Sequence, residues 1–465
     1  MPHPKNPPPK KIENEERESL LSSPPPADVL FSEKVIRYPI PDSMLDQDAV
    51  KIVRRLSRFG YQAYFVGGCI RDILFGKQPK DFDIATSALP SEIKRLFRNC
   101  RLIGRRFRLA HLLFKRGKVI EVATFRRSAT EKDDISGVHA AENLFGGAAD
   151  DAVRRDFTIN ALMYDYRRRE IYDYVGGFDD IHSGVLRTIG DPDRRLPEDP
   201  VRIIRAIKFS VRLGLAIDPR MAEAMKRHAK LINECAPARL VEEMLKILRS
   251  GASARSFYMM RDVGVLSELM SGLSRRAARS PDPYTTWRIL ERMDEKILAG
   301  DEISDSTMIA ALIYPFCLPV INKGGDVSKR LELELSKLLS PMKFTKRHMM
   351  HVRQIVLAQR RLSGAPVTKR LRRMMERDYA AHALDLKELI SETKKDEEVL
   401  GQWLEVFAER KNDNRRRPPH SDGKKRSSGR RPTGKPDGKP DGKPERSQRK
   451  PRQGPPRKKR KENPE

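Results

Sequence analysis

Apolar positions divide the chain into a head that mixes strands with helices and a longer stretch with helical spacing only. Order is expected from about Ser43. Ala49, Val53 and Leu56 then fall at helical intervals, and Gly60 offers a C-terminal stop. Ala63, Tyr64, Phe65 and Val66 read as a short strand that runs into Gly67 and Gly68. Asp81, Phe82, Asp83 and Ile84 alternate polar and apolar, which marks a second strand. Residues 109–114 and 118–125 read as two more strands around a turn at Arg116 and Gly117. From about 127 to 150 there is no periodicity, and a mobile loop is predicted. From Val201 the period becomes helical, as in Leu240, Met244, Leu245 and Leu248. Pro219, Pro237, Gly251, Pro341 and Pro366 punctuate it, and no strand-like alternation returns. Met349, Met350, Met374 and Met375 are expected to pack in that helical core. The predicted fold class is α+β: a head with a mixed sheet and helices, then an all-helical neck and body. The expected divisions are a disordered arm at 1–40, a head at 41–190, a helical neck at 191–255, a helical body at 256–410 and a disordered basic tail at 411–465.

Composition changes this picture at the two ends. The arm is rich in Pro, Lys and Glu, and the tail in Lys, Arg, Pro, Gly, Ser and Asp, so both read as disordered. The tail holds 21 basic and 7 acidic residues, about half of the net charge of +29. Such a one-sided charge points to a polyanion, with nucleic acid ahead of an anionic membrane surface. The clusters Arg415, Arg416, Arg417 and Arg457, Lys458, Lys459, Arg460 are the candidate RNA contacts. With no aromatic side chain nearby they would hold phosphates without reading bases, and a merely solubilising tail is the plainer alternative. No apolar stretch is long enough to span a membrane, and the first residues lack the apolar core of a secretory signal. The four cysteines lie far apart, which suggests neither a disulfide framework nor a zinc site and fits a reducing cytoplasm.

The candidate chemistry starts with Asp81 and Asp83. Two carboxylates on one strand face repel each other unless a cation lies between them, and Mg²⁺ prefers such hard oxygen ligands. Glu121, an acid in the middle of an apolar strand, is a third candidate ligand; a solvent-facing position is its plainer reading. Metals held there would clamp a triphosphate and activate a hydroxyl for in-line attack. Gly67 and Gly68 would let the backbone approach phosphate oxygens, and Arg71 adds a cation one turn on. Arg154 and Arg155 suit phosphate and sugar oxygens, Asp156 could accept a ribose hydroxyl, and Asn160 follows one turn later. A helix start with Asp156 as cap is the structural alternative. Asp199 precedes Pro200, so it also reads as an N-cap. Asp199, Arg202 and Arg205 lie on neighbouring turns of one face, where an acceptor beside donors can read a base edge.

Four runs carry a family resemblance: Gly67-Gly68-Cys69-Ile70-Arg71-Asp72; Asp81-Phe82-Asp83; Arg154-Arg155-Asp156-Phe157-Thr158-Ile159-Asn160-Ala161-Leu162; and Glu198-Asp199-Pro200-Val201-Arg202. In this order the chain resembles the class II branch of the DNA polymerase β nucleotidyltransferase superfamily, which holds poly(A) polymerases and CCA-adding enzymes. Residues 97–111 and the run Gln402-Trp403-Leu404-Glu405-Val406-Phe407 before a basic tail look like the bacterial poly(A) polymerase I family. The absence of any His-Asp dipeptide leaves no sign of the phosphohydrolase domain carried by some CCA-adding enzymes. The resemblance implies that Asp81, Asp83 and Glu121 hold Mg²⁺ and that Gly67, Gly68 and Arg71 bind the triphosphate. Arg155, Asp156 and Asn160 would position sugar and phosphates; Asp199 and Arg202 would read adenine, with Arg205 in support. The head at 41–190 would then be catalytic, the neck at 191–255 would carry nucleotide- and RNA-binding residues, and the body at 256–410 is expected to bind RNA along the RNA backbone. His111 is expected to be structural. The implied activity is template-independent transfer of AMP from ATP to RNA 3′ ends in cytoplasmic RNA processing and decay, in a bacterium. Expected partners are RNA, ATP and RNA-decay proteins, with monomer as the default and no membrane. A tRNA nucleotidyltransferase adding CCA or A, and a non-catalytic RNA-binding protein, are the alternatives.

Overall fold

A computed structural model describes residues 33–104, 109–127, 145–279, 285–323 and 325–416, with 370 and 412–416 described by backbone alone. The head is built on eight strands: β1 (Lys34–Arg37), β2 (Ala63–Val66), β3 (Asp83–Thr86), β4 (Cys100–Ile103), β5 (Leu109–Leu113), β6 (Val119–Thr124), β7 (Met163–Asp165) and β8 (Glu170–Asp173). They form one sheet in the order β1-β8-β7-β2-β3-β6-β5-β4. Neighbours run antiparallel except β3 and β6, whose parallel pairing sets Asp83 directly opposite Glu121.

Several expectations are corrected here. The arm does not extend to residue 40, because Lys34–Arg37 pairs with β8 at the sheet edge. The strand expected from Asp81 begins at Asp83. Phe82 is instead buried edge-on against Phe65, which turns the chain into the strand. Of the loop expected at 127–150, residues 128–144 lie outside the described residues, and its end folds as a helix, Ala148–Val153. The turn at Arg116 and Gly117 is present, both with positive φ.

The sheet has two covered faces. On one, Phe65, Ile84 and Val122 join the main core with helix α1 (Gln47–Arg58). This helix buries Ala49, Ile52, Val53 and Leu56 and is capped by the Asp46 carboxylate, which accepts from the N–H groups of Asp48 and Ala49. On the other face Tyr64, Val66, Ala85 and Phe125 pack with Ala148 and Ala152. Alternation along β3 and β6 sends Asp83 and Glu121 to this second face, in the direction opposite to Ile84 and Val122. The helices that complete the head are α2 (Gly68–Leu74), α3 (Pro90–Leu96), α4 (Ala148–Val153) and α5 (Gly177–Ser183).

The neck follows as α6 (Pro192–Glu198), α7 (Val201–Leu213), α8 (Pro219–His228) and α9 (Pro237–Leu248). A two-residue strand at Ala216–Ile217, not foreseen in this helical stretch, pairs in parallel with Val185–Leu186 and ties neck to head. The body contains α10 (Ser253–Asp262), α11 (Val265–Leu269), α12 (Ser271–Ala278), α13 (Thr285–Ala299), α14 (Asp305–Ile321), α15 (Val327–Leu339), α16 (Lys346–Leu362), α17 (Lys369–Arg372), α18 (Ala380–Ile390) and α19 (Lys394–Arg416). Helix α14 is apolar on nearly every side and is buried among α13, α15, α16 and α18. The apolar core runs unbroken from Ile40 to Leu389, so the expected boundaries near 191 and 256 are not breaks in packing. Met374 and Met375 are buried, Met349 packs at the core's edge, but Met350 is 45% exposed and stands outside it. All four cysteines are free thiols. No helix among the described residues is long and apolar enough to cross a membrane.

Candidate active site

The turn from β2 into α2 starts the site. Gly67 takes φ +73 and ψ −132, a conformation that only glycine adopts without strain. A Cβ here would lie 3.3 Å from Arg155 Nη1 and 4.0 Å from Asp83 Oδ2, so backbone, guanidinium and carboxylate converge on one small space. Cys69, just beyond, is buried, and its thiol is pushed up to about 12 by that burial, which leaves it without nucleophilic character.

Asp83, Glu121 and His111 are register partners across β3, β6 and β5. His111 Nε2 lies 3.3 Å from Glu121 Oε1. Asp83 opens onto the cleft, yet the protein around it excludes much of the bulk water. That burial pushes its carboxyl up to about 6; the charges of Glu121 and Asp81 add to the rise, and Arg155 opposes it. Among the described residues no three ligating side chains close into a cage for an ion. The carboxylates are nevertheless hard donors under mutual repulsion. They suit a dication that fills the rest of its coordination sphere with phosphate oxygens and water.

A cleft of about 660 Å³ unites the rest. It is lined by Gly67, Gly68, Arg71, Asp81, Asp83, Arg155, Asp156, Asn160, Asp199, Arg202 and Arg205. Every nucleotide-binding residue expected from the sequence is therefore in one place, while Glu121 stands beside Asp83 rather than on the cavity wall.

Inside the cleft the polar groups are linked. Arg71 is buried, donates to Asn160 Oδ1 at 2.6 Å and to Asp72 Oδ1 at 2.8 and 2.6 Å, and lies over the Phe209 ring. Asn160 donates to Asp156 Oδ1 at 3.0 Å. Arg205 holds Asp156 Oδ2 through Nε and Nη2 at 2.8 and 2.5 Å. Burial pushes the Asp156 carboxyl up, but Arg205, Asn160 and the Phe157 N–H outweigh it and hold the group below the usual carboxylate range. The residues after Asp156 form a 3₁₀ turn, Thr158–Asn160, rather than the helix whose cap Asp156 could have been. Arg155 donates to Asp151 Oδ2 at 2.8 Å, and its Nε is buried without a partner.

Asp199 is also corrected as a cap. Helix α7 begins at Val201 after Pro200 with no side-chain cap. The Asp199 carboxylate instead receives two parallel bonds from Arg239, at 3.0 and 2.8 Å. Arg202 donates through Nη1 to the Arg195 carbonyl and to Glu198 at 3.2 Å.

Sequence reasoning found α9 as a helix but missed its part in the cleft. Arg239, Glu243 and Lys246 line the cleft from that helix at i, i+4 and i+7. Glu243 is buried and accepts from Lys208 at 2.6 Å, Lys246 at 3.0 Å and Arg205 at 3.5 Å. Phe209 was missed as well, and lies under Arg71, Lys208 and Arg205 at 4.8, 4.9 and 5.4 Å. The one available signal was the charged spacing on α9, opposite the apolar positions that had identified the helix. Of the tail residues, Arg415 and Arg416 end α19, and Arg417, Arg457, Lys458, Lys459 and Arg460 lie outside the described residues.

A mixed sheet that sets carboxylates on adjacent strands at the mouth of a cation-rich cleft, followed by a helical body, is the architecture of a nucleotidyltransferase. Residues 63–187 match the Poly A polymerase head domain, 214–276 the probable RNA and SrmB-binding site of polymerase A, and 334–461 the polymerase A arginine-rich C-terminus. Poly(A) polymerase I of Salmonella typhi is 36% identical over 388 residues, 78% of this chain and 82% of the relative. The CCA-adding enzyme of Geobacillus kaustophilus is 32% identical over 295 residues, covering 62% and 70%. The crystal structure of Bacillus stearothermophilus CCA-adding enzyme in complex with CTP shares the fold, with a TM-score of 0.56 at 24% identity over 78% of this chain and 82% of that one. The chain belongs to the poly(A) polymerase I family and is a polynucleotide adenylyltransferase.

Proposed function

We propose that the protein extends RNA 3′ ends without a template, by repeated transfer of AMP from ATP with release of pyrophosphate. The observation that carries this reading is the single cleft in which carboxylates, arginines and a glycine turn meet. Asp81, Asp83 and Glu121 would hold Mg²⁺. When bound, that ion supplies Lewis-acid stabilisation of the phosphates and lowers the pKa of an attacking hydroxyl. The chain's own groups orient the reactants. Gly67 and Gly68 admit the triphosphate close to the backbone, and Arg71 and Arg155 stand ready for its oxygens. Asn160, held by Arg71 and Asp156, would serve as the partner of a ribose hydroxyl. Asp156 itself is saturated by protein donors, so it orients Asn160 and Arg205 rather than binding sugar alone. Asp199 and Arg202 keep acceptor and donor capacity for an adenine edge, and Arg205 braces them through Asp156. The 3′-hydroxyl of RNA attacks the α-phosphate, and the pyrophosphate leaves in line. The cellular setting that goes with this reading is cytoplasmic RNA processing and decay in a bacterium, as a monomer that meets RNA-decay proteins.

The 32% identity to a CCA-adding enzyme favours one alternative, addition of CCA or A to tRNA. The register of Asp83 with Glu121 argues against a non-catalytic head, which has no need of that repulsion. The deciding experiment supplies Mg²⁺, each NTP alone, and either a generic RNA or a tRNA lacking CCA. Long tails from ATP on the generic RNA support this reading. Addition that stops after CCA or one A, on the tRNA only, replaces it with the tRNA activity. D81A/D83A should abolish transfer while RNA binding persists.

A further inference from the structure

Away from the carboxylates, the helical body has a basic groove of its own. Two cavities of about 650 Å³ each open where α16 meets the segment at 363–379. Both are lined by Gln354, Arg361 and Tyr379, so they are adjoining halves of one groove. Arg360 borders the first half, and Arg373 and Arg377 border the second. All four arginines are exposed, and none has an ion-pair partner among the described residues. This differs from the carboxylate cleft, where Arg71, Arg205 and Arg239 are all paired with acids. The second half also contains Asp378 and Glu376, but Glu376 is taken by Arg410 at 2.6 Å. The groove therefore keeps a positive balance.

Unpaired arginines on a convex face would be ordinary solvated charge. Here they rim concavities of a size that holds a small-molecule-sized group. Tyr379 is half-buried on the wall common to both halves, with Met350 and Met374 as apolar surface in the second. Cations on the rim with a half-buried aromatic ring between them, packed on its other contacts against the apolar core, are the elements of a single-stranded nucleic-acid site: phosphates on guanidinium groups, a base on the ring. An acidic protein segment would use the arginines as well; the ring beside them favours a planar base.

We propose that this groove is a second RNA site, which holds a single-stranded part of the substrate other than its reacting 3′ end. Arg361, Arg373 and Arg377 take phosphates, and a base stacks on Tyr379. The proposal rests on RNA being the substrate, but its test does not require AMP transfer.

Full-length protein is titrated, without ATP, into a fluorescent oligoadenylate at several salt concentrations. Each phosphate contact to a single strand contributes about 0.7 to the slope of log K against log salt, so R361A/R373A/R377A should flatten the slope by about 2 and weaken binding. The basic tail is present in both proteins, so the difference isolates the groove. A 2-aminopurine in the oligomer should be quenched by the wild type and by Y379F, and lose that quenching with Y379A. In transfer assays, the ratio of KM for the oligoadenylate to KM for a trinucleotide primer should rise in the triple variant. An unchanged slope and affinity would overturn the proposal, as would an equal rise in KM for the trinucleotide. Heparin bound as tightly as oligoadenylate, with no 2-aminopurine response, would reduce the groove to a general polyanion surface and overturn the stacking. A wild type that binds RNA but transfers no AMP defeats the enzymatic reading alone.

Discussion

At the scale of residues, the two glycines of the first turn carry different demands. Gly67 has a backbone closed to other residues and faces Arg155 and Asp83. Gly67→Ala should lower stability by about 1–3 kcal/mol and disturb both side chains. Gly68 is helical, and its Cβ would lie 3.4 Å from the Arg71 Nη2, an ordinary contact. Gly68→Ala should therefore be near neutral in stability. Paired thermal melts check this, and equal melting temperatures would sink the strain argument. The same scale sets the response to acid. The Asp156 carboxyl is held below its ordinary 3.8, and Asp151 is lowered likewise: burial raises it, but Arg155 and Arg154 prevail. A depressed folded pKa gives stability that is complete above the ordinary value and is lost as pH falls through the depressed one. These two groups should make the melting temperature fall below about pH 4, and D156N should flatten that acid limb; Asp83, raised to about 6, works the other way and should make the melting temperature rise modestly as pH falls from neutrality to about 5.

At the scale of elements, α9 shows how a helix can be legible while its role is not. Leu240, Met244, Leu245 and Leu248 identify it from spacing alone, because burial of one face is a property of the helix. That Arg239 would meet Asp199, and Glu243 meet Lys208, depends on which face another element turns toward it. The strands divide in the same way. β2, β3, β5 and β6 are buried at regular positions and were readable, give or take two residues at their ends. β1 is an exposed edge among charged residues, and β7 has three residues, so only their pairing defines them. The residues of the site were legible because their chemistry is unusual for their local surroundings; their partners were not, because an arginine on a helix is commonplace. A prediction follows for Glu243. E243Q leaves the buried Lys208 ammonium and part of the Arg205 charge without a counter-ion, and should destabilise by about 3–5 kcal/mol. K208M/E243M should recover most of that, since both charges leave together. Urea denaturation of the three proteins decides it; equal losses for single and double variants would mean that packing, not charge, is what Glu243 supplies.

At the scale of the whole molecule, charge has two separable jobs. The net +29 is divided about evenly between the 410 residues before the tail and the tail itself. Before the tail, arginines gather in a cleft where most are neutralised by acids at short range. Such pairs respond weakly to salt because they are partly buried. The tail is a long run of cations with few acids among them, so its attraction for a polyanion is screened directly. ATP binding and RNA binding should therefore separate in their salt dependence. The cleft is lined by residues between Gly67 and Lys246, so removing 417–465 deletes none of them. That truncation should weaken RNA binding and flatten its salt slope, while KM for ATP on a trinucleotide primer stays within about twofold. Steady-state assays at several salt concentrations with both proteins make the comparison. A KM for ATP that rises with truncation would mean that the tail takes part in nucleotide binding. An unchanged salt slope for long RNA would mean that the folded part alone, through the cleft and the groove on the body, holds the substrate.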